Sequence, residues 1–177
     1  NDLHIIGDSD GHGTYIKFKP DGEIFTETLV YDFEVLSRRL REQAFLNAGL
    51  SITLTDLRES DSEEQRSEEY CYEGGIRSFV EYINKSRGLN PIQNEVIHIS
   101  TTKEDRSAEV ALCYTDSYNE ILLSFANNIN TIDGGTHETG FKTALTRVFN
   151  DYGKKFNILK DSDKKLSGDD VREGLTA

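Results

Sequence analysis

The sequence predicts an α+β domain in which strands and helices share one layered core. Short runs alternate apolar and polar residues at the period of a strand. Three longer stretches place apolar residues on one helical face. Glycine pairs or prolines separate many of them.

The elements read in order as follows. Thr14 to Lys19 alternates, with Ile16 and Phe18 on one side, which predicts a half-buried strand ended by a turn at Pro20-Asp21-Gly22. Asp32 to Asn47 predicts a helix, because Phe33, Leu36, Leu40 and Ala44 share one arc at roughly 100° per residue. Ser51 to Leu57 predicts a second strand. Arg58 to Glu69 holds six acids and two bases, the composition of a solvated loop or hairpin tip, and Tyr70 to Glu73 would pair back. Gly74-Gly75 opens a helix carrying Ile76, Phe79, Val80 and Ile83, stopped at Gly88 and by Asn90-Pro91.

Three strand-like runs follow, Glu95–Ser100, Ala108–Thr115 and Glu120–Asn130, the last two joined by a hairpin turn at Asp116 to Asn119. Gly134-Gly135-Thr136 leads into an amphipathic helix over about His137–Tyr152, with Phe141, Ala144, Leu145, Val148, Phe149 and Tyr152 as its apolar stripe. Lys154 to Lys165 reads as a charged connector. Leu166 to Asp170 reads as the start of a last helix, with Ser or Asp as its cap.

The 177 residues carry 32 Asp+Glu against 20 Lys+Arg, a net charge of −12. That excludes a protein that coats nucleic acid, and disfavours anionic membrane surfaces. No apolar run approaches the ~18 residues that span a bilayer. The start is polar and lacks a signal-peptide core, and no Met occurs anywhere, so the chain reads as a piece of something longer. Cys71 and Cys113 allow one disulfide, but a reduced, cytoplasmic chain is the simpler reading.

Little in the spacing suggests chemistry. His4, His12, His98 and His137 are scattered; the Asp8 segment keeps a calcium loop's Gly at Gly13 but has Lys19 where its Glu belongs, and the Asp161 segment has Leu166 and Arg172 at those two positions. No phosphate-binding glycine motif follows a strand; Gly134 to Gly140 offers at most a weak phosphate cradle at a helix start. No catalytic and no metal-binding residue is assigned. Basic charge within an acidic chain is the notable feature. Arg38, Arg39 and Arg41 lie opposite the apolar side of their helix, either as a solvated face paired with Glu34 and Glu42 or as a wall facing phosphates. Lys142 and Arg147 flank the apolar stripe of the late helix.

Several blocks together resemble a known family. They include Gly13-Thr14 with Phe18-Lys19-Pro20-Asp21, Arg39-Leu40-Arg41-Glu42, and Tyr72-Glu73-Gly74-Gly75-Ile76. Further blocks are Asn127 to Thr131, Gly134 to His137, Gly140 to Arg147, and Leu166 to Leu175. In this order they resemble the transducer domain of type IIA DNA topoisomerases, the bacterial DNA gyrase B family best among them. The B-type subunit of topoisomerase IV and an independent S5-like binding module for nucleic acid or protein stay open as alternatives.

The resemblance implies a ribosomal protein S5 domain 2-like fold, a mixed sheet with helices packed on one face. It implies that residues 1–12 are a linker from an upstream ATPase domain. Residues 13–177 would be the transducer, cut before the Gln-Thr-Lys loop that touches ATP. The family couples ATP binding and hydrolysis to DNA strand passage and supercoiling. ATP and Mg2+ are therefore implied for the parent protein, with no ATP-binding residue and no cofactor in this piece, which alone would be inactive. The implied partners are DNA, the gyrase A protein and a second copy of gyrase B, with no membrane. In the family the paired transducers enclose a basic cavity for DNA. Lys142, which follows Gly140-Phe141, and Arg147 match its basic positions; Arg38, Arg39 and Arg41 are further candidates.

Overall fold

The computed structural model describes residues 4–5, 7–8, 10–58, 65–160 and 164–177. It divides into two compact units, Asn1–Phe33 and Glu34–Ala177.

In the first unit no strand forms over 14–19, contrary to the alternation. Ile16 and Phe18 are 77% and 65% exposed. An alternating segment becomes a strand only where a neighbour takes its backbone donors and acceptors, and among the described residues none pairs with it. The expected turn is present slightly later. The Asp21 carbonyl accepts from the Ile24 and Phe25 amides at 3.1 and 2.8 Å, and its carboxylate accepts from the Glu23 amide at 2.9 Å. The Phe18 and Tyr31 rings meet edge-on at 5.5 Å.

Helix α1 spans Phe33–Leu46 and strand β1 Ile52–Thr55. Strand β2 spans Ser67–Tyr70 and pairs antiparallel with β1, Ile52 opposite Tyr70 and Thr55 opposite Ser67. The tip of the acidic segment, residues 59–64, lies outside the described residues. The returning strand comes three residues before the expected Tyr70 to Glu73. At Tyr72 the chain turns away: its carbonyl accepts from the Gly49 and Gly75 amides, and its ring stacks on Phe45 at 3.6 Å between centroids.

Helix α2, Ile76–Arg87, ends as the sequence predicts. Gly88 adopts φ 66°, and the Gly88 and Leu89 amides close on the Lys85 and Asn84 carbonyls. Phe45 joins the two helices, its ring stacked 4.8 Å from Phe79 with the planes 7° apart.

Strands β3 (Ile97–Lys103) and β4 (Arg106–Tyr114) form a tight hairpin, Lys103 opposite Arg106, with Glu104 at φ 55° in the turn. The expected third run differs. Instead of one strand over Glu120–Asn130 there is a small hairpin. Strand β5, Phe125–Ala126, pairs with β6, Ile129–Asn130, around Asn127 and Asn128 at φ 48° and 66°. Asparagine tolerates that left-handed backbone better than other non-glycine residues. Nor does Asp116 to Asn119 make a hairpin turn. The place beside the end of β4 is taken by β7 (Leu175–Thr176), which the sequence did not reveal. Ile121 then bridges Thr176 in parallel, so the sheet is mixed.

Helix α2 covers one face of this sheet, where Val80 packs against Ala111 and Cys113 with Ile76 and Val96 alongside. Leu175 and Thr176 are fully buried, and the Thr176 hydroxyl donates to Asn84 of α2 at 2.8 Å. Cys71 is exposed and Cys113 buried, both as free thiols.

Helix α3 runs over Thr136–Lys155, three residues beyond its expected end, and α4 over Gly168–Arg172. Phe141, Ala144 and Leu145 of the α3 stripe are half-buried, whereas Val148, Phe149 and Tyr152 are exposed. Of the named elements, α3 packs chiefly on α4. The α4 start is a full capping box: Ser167 Oγ accepts from the Asp170 amide, and Asp170 accepts from the Ser167 amide. No helix among the described residues is long and apolar enough to cross a membrane.

Candidate nucleic-acid interface

Seven residues of α3 occupy the helix side away from its apolar stripe: Lys142, Thr143, Thr146, Arg147, Asn150, Asp151 and Lys154. At roughly 100° per residue they fan over about half a turn, as a polar face must when the other side is apolar. The segment leading into α4 forms the facing wall with Lys165, Leu166, Gly168 and Arg172. Between them lies an open groove of about 530 Å³. Five bases and one acid line it, in a chain whose net charge is −12.

Asn150 fixes the distance between the walls. Its amide nitrogen donates to the Leu166 carbonyl at 3.0 Å, and its oxygen accepts from the Leu166 amide at 2.9 Å. This two-way clasp holds Lys165 across from α3, and the Ser167 capping box holds the next turn.

The bases differ in their electrostatic state. Lys142 Nζ lies 2.8 Å from Glu138 and 3.5 Å from Glu120. The bond to Glu138, one helical turn back, raises the Lys142 ammonium pKa, and Glu120 adds to it. The same bond, followed by one from Ser124, lowers Glu138. Arg172 donates Nε to Glu120 at 2.9 Å and Nη2 to Asp169 at 2.9 Å. Arg147, Lys154 and Lys165 are exposed, and no ion pair engages them among the described residues.

The remaining sequence candidates are elsewhere. Arg38 is exposed on α1, and Arg39 pairs with Glu42 at 3.6 Å. Arg41 turns inward instead of facing solvent with its neighbours. It donates to Tyr82 Oη at 2.9 Å and to Ser37 at 3.3 Å, with its guanidinium 5.2 Å from the Tyr70 ring. Tyr70 in turn donates to Glu68 at 2.7 Å, so Arg41 belongs to a network tying α1 to β2 and α2. Thus Lys142 and Arg147 share one groove, and the three α1 arginines do not line it. Sequence reading missed Lys154, Lys165 and Arg172. Lys154 follows Arg147 by seven residues, two helical turns, but that spacing carries no weight for a helix that stops at Tyr152.

The weak phosphate cradle at Gly134 to Gly140 is already filled by an acid. The Glu138 carboxylate lies over Gly134, against the positive end of α3. Among the described residues no three His, Cys, Asp or Glu side chains are placed to hold a metal ion.

A model of the DNA gyrase B family matches residues 75–177, more than half of the chain. The chain belongs to the DNA gyrase B family. The DNA gyrase B protein of Halalkalibacterium halodurans is 54% identical over 176 residues, 99% of this chain and 27% of that protein. That of Enterococcus faecalis is 53% identical over the whole chain, again 27% of its own length. The chain thus spans about a quarter of these gyrase B relatives. The crystal structure of the 43K ATPase domain of Thermus thermophilus gyrase B, in complex with an aminocoumarin, matches with TM-score 0.74 and 36% identity. It covers 89% of this chain and 41% of that one. The family match and these relatives support the gyrase reading. Lys142 and Arg147 both lie on α3, the helix that walls the basic groove.

Proposed function

We propose that this chain is the transducer part of an ATP-driven type IIA DNA topoisomerase, and that its α3 groove faces DNA. Residues 1–12 act as a lead-in from an upstream ATPase domain and residues 13–177 as the transducer. The parent works in the cytoplasm with the gyrase A protein, a second copy of gyrase B, and DNA. The observation that carries this is the groove itself. Three bases without an ion pair among the described residues share one concave surface of a strongly acidic protein. Phosphate contacts supply most non-specific DNA affinity, and Lys and Arg provide them without reading sequence.

The chain supplies a lever rather than chemistry. Nucleotide bound upstream favours one arrangement of the two domains, and its loss releases them, so ligand energy biases a two-state element. DNA then meets the groove only when two copies close around it. That reconciles a basic inner surface with a net charge of −12.

The test restores this chain to a full-length gyrase B. Sedimentation with and without a non-hydrolysable ATP analogue should show nucleotide-dependent dimers. Monomers under both conditions, from folded protein, would remove the coupling role. The chain alone should bind duplex DNA weakly or undetectably at physiological salt, whereas tight binding would favour an independent module.

A further inference from the structure

We infer that Arg147, Lys154 and Lys165 make the phosphate contacts of the groove, while Glu138, Glu120 and Asp169 hold Lys142 and Arg172 back as positioning cations. This rests on the DNA-facing reading above and assigns roles within it.

A base gains free energy on binding phosphate chiefly by displacing counterions condensed on the DNA. A base already held by a carboxylate of its own protein brings less net charge with which to displace them. Lys142 is in that state, between Glu138 at 2.8 Å and Glu120 at 3.5 Å. Arg172 is as well: its side chain is only 16% exposed and is shared between Glu120 and Asp169, both at 2.9 Å. A phosphate reaching either must first displace a carboxylate. Glu120 touches both, so one side chain ties the base of α3 to the base of α4.

Arg147, Lys154 and Lys165 carry no such partner among the described residues, and Asp151 is the one acid lining the groove beside them. Arg147 and Lys154 are seven residues apart on α3, about 10 Å along its axis at ~1.5 Å per residue. Each strand of B-DNA presents one charge per ~3.4 Å of its axis, so the two reach different phosphates of one backbone. Lys165 approaches from the other wall, where the Asn150–Leu166 clasp fixes its neighbour. Cations from two walls then grip one backbone. Since lysine and arginine here meet only phosphate, the grip reads no sequence.

The test measures the salt dependence of duplex DNA binding by full-length gyrase B assembled with gyrase A. Arg147→Ala should flatten the log K against log salt slope by about 0.9, and Lys154→Ala with Lys165→Ala by about 1.8. Lys142→Ala should change it by less than half of the Arg147 effect. Glu120→Gln combined with Glu138→Gln should steepen it by freeing Lys142. Lys85→Ala, in the last turn of α2, serves as the surface control, and retained nucleotide-dependent dimerisation shows that each variant folds. If Lys142→Ala flattens the slope as Arg147→Ala does while the Lys154/Lys165 pair does not, the assignment is overturned and the DNA-facing groove stands. If no groove variant changes the slope, both are overturned.

Discussion

Lys142 Nζ lies 2.8 Å from the carboxylate of Glu138, one helical turn before it on α3. The base that sequence resemblance singles out first is therefore the one already neutralised. Its neighbours Arg147 and Lys154 are not. Charge alone does not identify a binding residue; the state of its nearest carboxylate decides how much of that charge a ligand meets.

Phe45 is the joint of the α1–α2 layer, 1% exposed and stacked on Tyr72 and Phe79. Phe45→Ala should destabilise the chain by about 3–5 kcal/mol, since the cavity cannot close between two flat rings. Urea unfolding checks this; a loss below ~1 kcal/mol would mean that the stack is not structural.

Gly174 enters β7 at φ 72°, and a Cβ there would meet the Ser117 and Thr115 carbonyl oxygens at 2.6 and 2.7 Å. Both obstacles are backbone, so neither can rotate away. Gly174→Ala should cost at least ~1–3 kcal/mol and loosen β7 from β4. Hydrogen exchange at the Thr115 and Ile121 amides, which donate to Gly174 and Leu175, reports the loosening directly.

Ser167→Ala removes the side-chain half of the α4 capping box, at a cost of about 1 kcal/mol. Because Lys165 and Arg172 flank that turn, the loss should appear as faster exchange of the Asp170 amide before any change in global unfolding. Unchanged exchange would show that the cap is not holding the groove wall.

Glu68 is held at about 2, below its ordinary 4.5, first by the Tyr70 hydroxyl, then by Arg66 and Ser37. The folded state thus binds the carboxylate form more tightly than the unfolded state does. That contribution is fully present above about pH 4.5 and is lost as pH falls through about 2. Glu68→Gln should flatten the dependence of stability on pH within that window and leave it unchanged near neutrality. A wild-type slope in the variant would assign acid unfolding to other groups.

Local rules made much of the fold legible. Gly88, Ser167 and the apolar spacing of α1 and α2 act within a few residues, so those helices begin and end where the sequence indicates. Non-local pairing was not legible. Thr14 to Lys19 alternates as well as β1 does, yet of the two only β1 has a partner among the described residues. β7 is two residues long, and its place beside Cys113 and Tyr114 is set by a chain segment some sixty residues away. The Asn127-Asn128 turn was readable in principle, since paired left-handed residues mark tight hairpins. In the groove, Arg147 was legible through resemblance. Lys165 was not, because its position depends on the Asn150–Leu166 clasp, which no spacing reveals.

Whether the α3 groove faces DNA in the working enzyme is tested most directly by supercoiling. The assay uses full-length gyrase B carrying Arg147→Glu and Lys154→Glu, assembled with gyrase A. Supercoiling should fall on the order of tenfold or more, and the loss should deepen as salt rises, while nucleotide-driven dimerisation stays intact. Wild-type supercoiling at every salt concentration, from dimerisation-competent protein, would contradict a DNA-facing groove.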